Sequence, residues 1–133
     1  MDVVLMGPPG AGKGTQAAPL AAQFGLFHLA TGNLLRALKA AGDPRWEAVS
    51  VIEQGALAPP EIVAAVTREA LAGPGQRGAV LDGAVRTQAQ AAQVVEWLVA
   101  LGRQVDAVVL LDPPEDELRA RAARRTMCSQ CQR

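Results

Sequence analysis

The segment Gly7-Pro8-Pro9-Gly10-Ala11-Gly12-Lys13-Gly14-Thr15 directly follows the apolar run Val3-Val4-Leu5-Met6. A short β-branched run reads as a buried strand, and a glycine-rich turn after it reads as a phosphate loop opening a helix. Glycines let backbone N–H groups close on phosphate oxygens because no Cβ blocks the approach. The start of the following helix adds partial positive charge. Lys13 is placed to reach the outer phosphates. The match to G-x-x-x-x-G-K-[ST] is offset, since Gly14 stands in the hydroxyl position and Thr15 follows it.

Composition narrows the remaining choices. The 133 residues suit one domain. Thirteen basic residues balance thirteen acidic ones, which argues against a nucleic-acid polymer as partner. No run approaches the ~18 apolar residues of a membrane span. Asp2 and the early stop of the apolar run at Gly7 do not resemble a signal peptide, so a cytoplasmic protein is expected. Two cysteines, Cys128 and Cys131, give no disulfide framework. Arg119, Arg121, Arg124, Arg125 and Arg133 crowd the C-terminal end; such a cluster is either a solvated face or charge set beside phosphate.

Strand and helix signals alternate, so the expected class is α/β with parallel strands. A helix is expected from Lys13 to Phe24, stopped by Gly25, with Pro19 kinking it or ending it early. Phe27–Leu29 reads as a very short strand or an extended link. Thr31 is the expected N-cap of a helix reaching Ala41. A further short helix over 45–54 precedes one over 61–71, with Pro60 in its first turn. Ala79–Leu81 reads as a strand closed by Asp82-Gly83. A helix over 87–101 capped by Gly102, a fully buried strand Ala107–Leu111 and a helix Glu115–Arg125 complete the pattern. The three strong strands end at Gly7, Asp82 and Asp112, and the carboxyl edge of a parallel sheet is where ligands bind.

Five segments, in order, resemble adenylate kinase, of the nucleoside monophosphate kinase group: GPPGAGKGTQA (7–17), HLATGNLLRA (28–37), GALAPPEIV (55–63), LDGAVRTQAQA (81–91) and RRTMCSQC (124–131). The resemblance implies a P-loop NTPase-type, three-layer α/β fold and reversible phosphoryl transfer from MgATP to AMP, giving two ADP. It implies that Gly10, Ala11, Gly12, Lys13, Gly14 and Thr15 hold the ATP phosphates, with Arg124 along the ATP site. It places Thr31, Arg36, the backbone of Ala56, Leu57 and Ala58, then Gly83, Ala84, Val85 and Arg86 around AMP, with Gln90 reading the adenine edge. Lys13, Arg36, Arg86 and Arg124 are the implied catalytic cations, and Asp82 organises water around Mg²⁺. Residues 30–58 correspond to an AMP-binding helical insert and 126–133 to the start of a lid, where Cys128 and Cys131 make half of a Zn²⁺ site. A monomer handling only small nucleotides, with no nucleic acid or membrane partner, is expected.

The sequence also departs from the family pattern. Asn33 replaces the usual Asp. Ala84-Val85 replaces Phe-Pro, which loosens the turn that carries Arg86. An arginine expected over adenine falls on Ala120 without a gap, leaving Arg119 or Arg121 to serve. The pattern runs on past residue 133 with more lid, two further arginines, a strand and a helix. A partial core, 1–133, with a wet site, weak or absent turnover and exposed apolar surface beside Val3–Met6 and Ala107–Leu111 is therefore expected. Two alternatives stand beside this reading: a kinase for another acceptor such as UMP or CMP, and a non-catalytic nucleotide-binding module.

Overall fold

A computed structural model describes residues 1–54, 56, 58–75 and 77–124. Four parallel strands, β1 (Asp2–Met6), β2 (Phe27–Ala30), β3 (Ala79–Asp82) and β4 (Ala107–Leu110), lie in the order β2-β3-β1-β4. Six α-helices accompany them: α1 (Lys13–Phe24), α2 (Thr31–Ala41), α3 (Arg45–Val49), α4 (Pro60–Ala72), α5 (Gln88–Ala100) and α6 (Glu115–Arg124). A 3₁₀ turn over Ser50–Gln54 follows α3.

Alternation along the strands builds three layers, because successive side chains point to opposite sheet faces. Val3, Leu5 and Val80 point to one face and pack on Ala17 and Ala21 of α1. Val4, Leu29, Ala79 and Leu81 point to the other and pack on Ala70 and Leu71 of α4 and Val94 and Leu98 of α5. Leu29, Leu71, Leu81 and Leu98 are completely buried, each contributing about 1.5–3 kcal/mol over an exposed side chain. A third cluster, Leu35, Leu38, Val49 and Val66, joins α2 and α3 to α4. Arg45 ties the same region together, bonding Asp43 and, at 2.8 Å, Glu69 of α4; the Arg45 guanidinium holds the Asp43 carboxyl below its usual range.

Several local expectations need correction. Helix α1 runs unbroken through Pro19. The carbonyl that Pro19 leaves without an N–H partner is that of Thr15, and both residues are exposed, within reach of water. Thr31 is not an N-cap: β2 runs directly into α2, Ala30 takes the cap position, and Thr31 is the first helical residue. The 45–54 helix tightens into 3₁₀ geometry at Ser50. Leu101 is the C-cap of α5, with Gly102 just beyond it in left-handed geometry.

The largest correction concerns β4. It is not fully buried: Val108, Val109 and Leu110 are 59%, 43% and 65% exposed. It pairs with β1 alone, and among the described residues no helix covers it, since α6 buries none of its residues. Burial of an apolar strand depends on its neighbours, which its own composition does not reveal. Exposed apolar edges template association. The 133-residue chain alone is expected to bind a hydrophobic dye and to associate as concentration rises. Leu110→Lys should reduce both in dye titration and sedimentation, with a stability change within about 0.5 kcal/mol.

Candidate active site

The loop after β1 is shaped by close approaches. A Cβ on Gly7, whose φ is +143°, would lie 2.3 Å from the Leu111 carbonyl oxygen, so only glycine lets the chain leave β1 beside β4. The first helical bond of α1 runs from Gln16 N–H to the Gly12 carbonyl at 3.0 Å. The N–H groups of Lys13, Gly14 and Thr15 therefore lie ahead of the ladder, and Gly12 offers no side-chain cap. They form an anion-ready terminus on a twelve-residue helix. Lys13 Nζ donates to the Gly7 and Pro8 carbonyls at 2.8 and 3.0 Å, which holds the ammonium over the loop.

The Gly14 offset has a local cause. A Cβ there would come within 3.3 Å of Asp82 Oδ2, so a residue with a side chain would crowd the carboxylate against the first turn of α1. Asp82 pairs across the sheet with both Leu5 and Ala30, and its Oδ2 lies 3.5 Å from His28 Nε2. It is thus the hub of the carboxyl edge. Thr31 and Gly7 flank it within two strand spacings, roughly 10 Å, and Gly83 follows it directly. Helix α1 covers one face while α4 and α5 cover the other. The connections after β1 and β3 therefore leave toward opposite faces, the arrangement at which open parallel sheets bind ligands.

The remaining implied residues fall as follows. Arg36 Nη2 donates to Asn33 Oδ1 at 2.5 Å and folds along its own helix, where a Cβ on Gly32 would meet the guanidinium at 3.4 Å. Thr31 is buried, and its hydroxyl has no partner among the described residues. Arg86 is exposed, with its Nη2 3.8 Å from the place a Gly83 Cβ would take. Gln90 Oε1 accepts from the Arg86 and Thr87 N–H groups at 2.8 and 3.2 Å, closing a capping box with Thr87. The Gln90 oxygen thus holds the Arg86 turn on α5, and its NH₂ group is what remains to meet a base. Ala84 is buried, Val85 is half-buried, and both pack on the α4–α5 core cluster. Ala56 N–H donates to the Val51 carbonyl and Ala58 packs on the α2–α4 cluster. Leu57, Cys128, Cys131 and the 126–133 segment lie outside the described residues.

The structure brings forward one further arginine. Arg121 Nη1 donates to the Gly10 carbonyl at 3.1 Å and lies 3.7 Å from the position of a Gly12 Cβ, so it rests on the phosphate loop. Arg119 instead pairs with Glu115 in solvent, and Arg124 is exposed at the end of α6. Spacing alone left Arg119 and Arg121 equal; the contact with the loop separates them.

This fold and edge geometry are those of the α/β P-loop class. The adenylate kinase family model matches residues 5–129. A curated adenylate kinase from Gemmatimonas aurantiaca is 49% identical over 135 residues, covering 100% of this chain and 63% of its own length. Those from Kosmotoga olearia and Symbiobacterium thermophilum are 41% and 43% identical, each over 98% of this chain and 62% of its own length. The chain belongs to the adenylate kinase family, and it spans somewhat under two thirds of the length of these curated relatives. Among the described residues no helix is long and apolar enough to cross a membrane.

Proposed function

We propose that this chain carries the donor and acceptor sites of an adenylate kinase that moves the terminal phosphoryl group of ATP to AMP, giving two ADP. What supports the reading is convergence at one sheet edge. The phosphate loop, the Asp82 hub, the start of α2 and the Gly83–Arg86 turn all stand at the carboxyl ends of adjacent strands. On this reading the loop N–H groups from Gly10 to Thr15 bind the ATP phosphates. Lys13 moves from the loop carbonyls to the β- and γ-phosphates, and Arg121 and Arg124 add charge from α6. Arg36 and Arg86 grip the AMP phosphate as planar forks, and the Gln90 amide meets the base beside Thr31. The α2–α3 region with residues 50–58 serves as the acceptor-side insert, and 126–133 as the start of a lid. An AMP phosphate is already anionic near neutral pH, so positioning and charge neutralisation suffice.

Mg²⁺, when bound, neutralises and orients the phosphates. Asp82 would hold it through water: its carboxylate lies beside the first turn of α1, and the ion keeps most of its waters. Zn²⁺ needs two ligands beyond Cys128 and Cys131. The protein acts as a cytoplasmic monomer on small nucleotides.

Turnover by the 133-residue chain is weak. Arg86, Arg121 and Arg124 are exposed, so water competes with them for the migrating charge. A coupled ADP-formation assay with AMP, UMP and CMP tests the proposal. Slow transfer favouring AMP, below the rate of the Gemmatimonas relative, is the expected result. Preference for a pyrimidine monophosphate, or ATP binding with no binding of AMP, overturns it.

A further inference from the structure

Arg121 reaches the phosphate loop from outside it and forks between two acceptors. Its Nη1 donates to the Gly10 carbonyl at 3.1 Å, and its Nη2 to the Glu117 carboxylate one turn earlier on α6. A planar guanidinium bonded on two sides has its orientation fixed. Leu118 adds a second touch, its Cδ2 3.8 Å from the place a Gly10 Cβ would take. The Gly10 carbonyl belongs to the peptide that joins Gly10 to Ala11, and the other end of that peptide is held as well. Ala11 N–H donates to the Pro8 carbonyl at 3.1 Å, and the same carbonyl receives Lys13 Nζ at 3.0 Å. Arg121, the 10–11 peptide, Pro8 and Lys13 thus form one hydrogen-bonded chain across the loop.

We infer that Arg121 is a positioning residue for the donor site: it pins the Gly10 carbonyl toward α6 and keeps the 10–11 peptide from turning over. The inference rests on the donor-site reading above, and it assigns Arg121 to the loop backbone rather than to a phosphate. Gly10 sits at φ +85°, where the freedom of glycine lets the adjoining peptide reverse at low cost. Reversal would exchange the N–H and carbonyl ends of one unit of the anion cradle, putting an oxygen where the phosphates need a donor. A cation bonded to the carbonyl opposes that reversal. It also polarises the peptide, which makes the Ala11 N–H a stronger donor. Glu117 is accounted for by the same arrangement. A carboxylate near a phosphate loop opposes anion binding, but bonded to Arg121 it is neutralised and holds the fork in place.

The test is calorimetric binding of ATP, ADP, inorganic tripolyphosphate and AMP to the whole 133-residue chain, with amide NMR of the loop. Salt is kept at about 0.3 M, where the through-space pull of one exposed charge is largely screened. Arg121→Met is expected to weaken ATP, ADP and tripolyphosphate by one common factor of about five. AMP, bound elsewhere, should stay within about twofold. The Gly10, Ala11 and Gly12 amide signals of the nucleotide-free chain should shift or broaden. Arg119→Met removes the same charge from the same helix and should change each affinity by no more than about twofold. A loss for ATP well beyond that for ADP makes Arg121 a ligand of the terminal phosphate and overturns the inference. Unchanged affinities, an unmoved Ala11 signal, an equal loss in Arg119→Met, or a loss that extends to AMP overturns it as well. Failure of the unaltered chain to bind ATP and tripolyphosphate overturns the donor-site reading itself, and the inference with it.

Discussion

Replacing Lys13 with methionine is expected to lower ADP formation by about 10²–10³-fold, the usual effect of removing one preorganised donor from a developing oxyanion. Methionine keeps the length and flexibility of the stem and removes only the ammonium. In the nucleotide-free chain that ammonium donates to the Gly7 and Pro8 carbonyls. Both residues are half-buried, within reach of water, so the melting temperature should move little: two partly solvated bonds exchanged for hydration amount to about 1 kcal/mol or less. The expected pattern is therefore a collapse of kcat with the fold intact and ATP affinity reduced more modestly. A module that only binds nucleotide would show the affinity loss without any turnover to lose. Unchanged turnover in Lys13→Met would remove the lysine from the chemistry.

The same loop shows why part of this molecule is legible in its sequence. Glycine at 7 answers a constraint imposed by the backbone itself, a carbonyl 2.3 Å from any Cβ, so residue type and local geometry carry the same information. Gln90 was equally open to reading: Thr87-x-x-Gln90 is the capping-box spacing, and the structure uses its oxygen for that box. The family resemblance implies only a base contact for Gln90, and the box accounts for its oxygen. The composition of Ala107–Leu110 reads as a buried strand whether or not something covers it; only the family pattern gave the expectation of exposed apolar surface there, which the open face of β4 matches. Arg121 was legible only as one of two candidates. A helix of arginines spaced two and three apart does not reveal which one faces the loop until α6 is placed against Gly10.

Asp2 is the position where the sequence reading and the structure differ most in consequence, and it carries the second large prediction. By sequence it served only as a charge that spoils a signal peptide. In the fold it is 1% exposed and sits at the amino end of the central strand. One carboxylate oxygen accepts from the Ala79 N–H at 3.1 Å, and both accept from the Arg103 guanidinium, one of them from Nε at 2.9 Å. Arg103 also donates to the Leu71 carbonyl at 3.1 Å. This one pair therefore fastens β1, β3, the end of α4 and the turn after α5. Asp2→Ala should destabilise the chain by about 3–5 kcal/mol, because it strands a mostly buried guanidinium, while the Ala79 N–H keeps its second acceptor, the Met1 carbonyl at 3.2 Å. Total stabilities of about 5–15 kcal/mol are usual for a domain, and the open face of β4 places this chain toward the lower end. Asp2→Ala is thus expected to leave a large unfolded fraction at 37 °C, read as lost cooperativity in urea melts. Arg103→Ala should cost about as much, and the double variant should cost less than the sum, because the two residues share one interaction. Full additivity would mean that the pair contributes nothing jointly, and that burial of Val3, Val4 and Leu5 holds the strand in place without it.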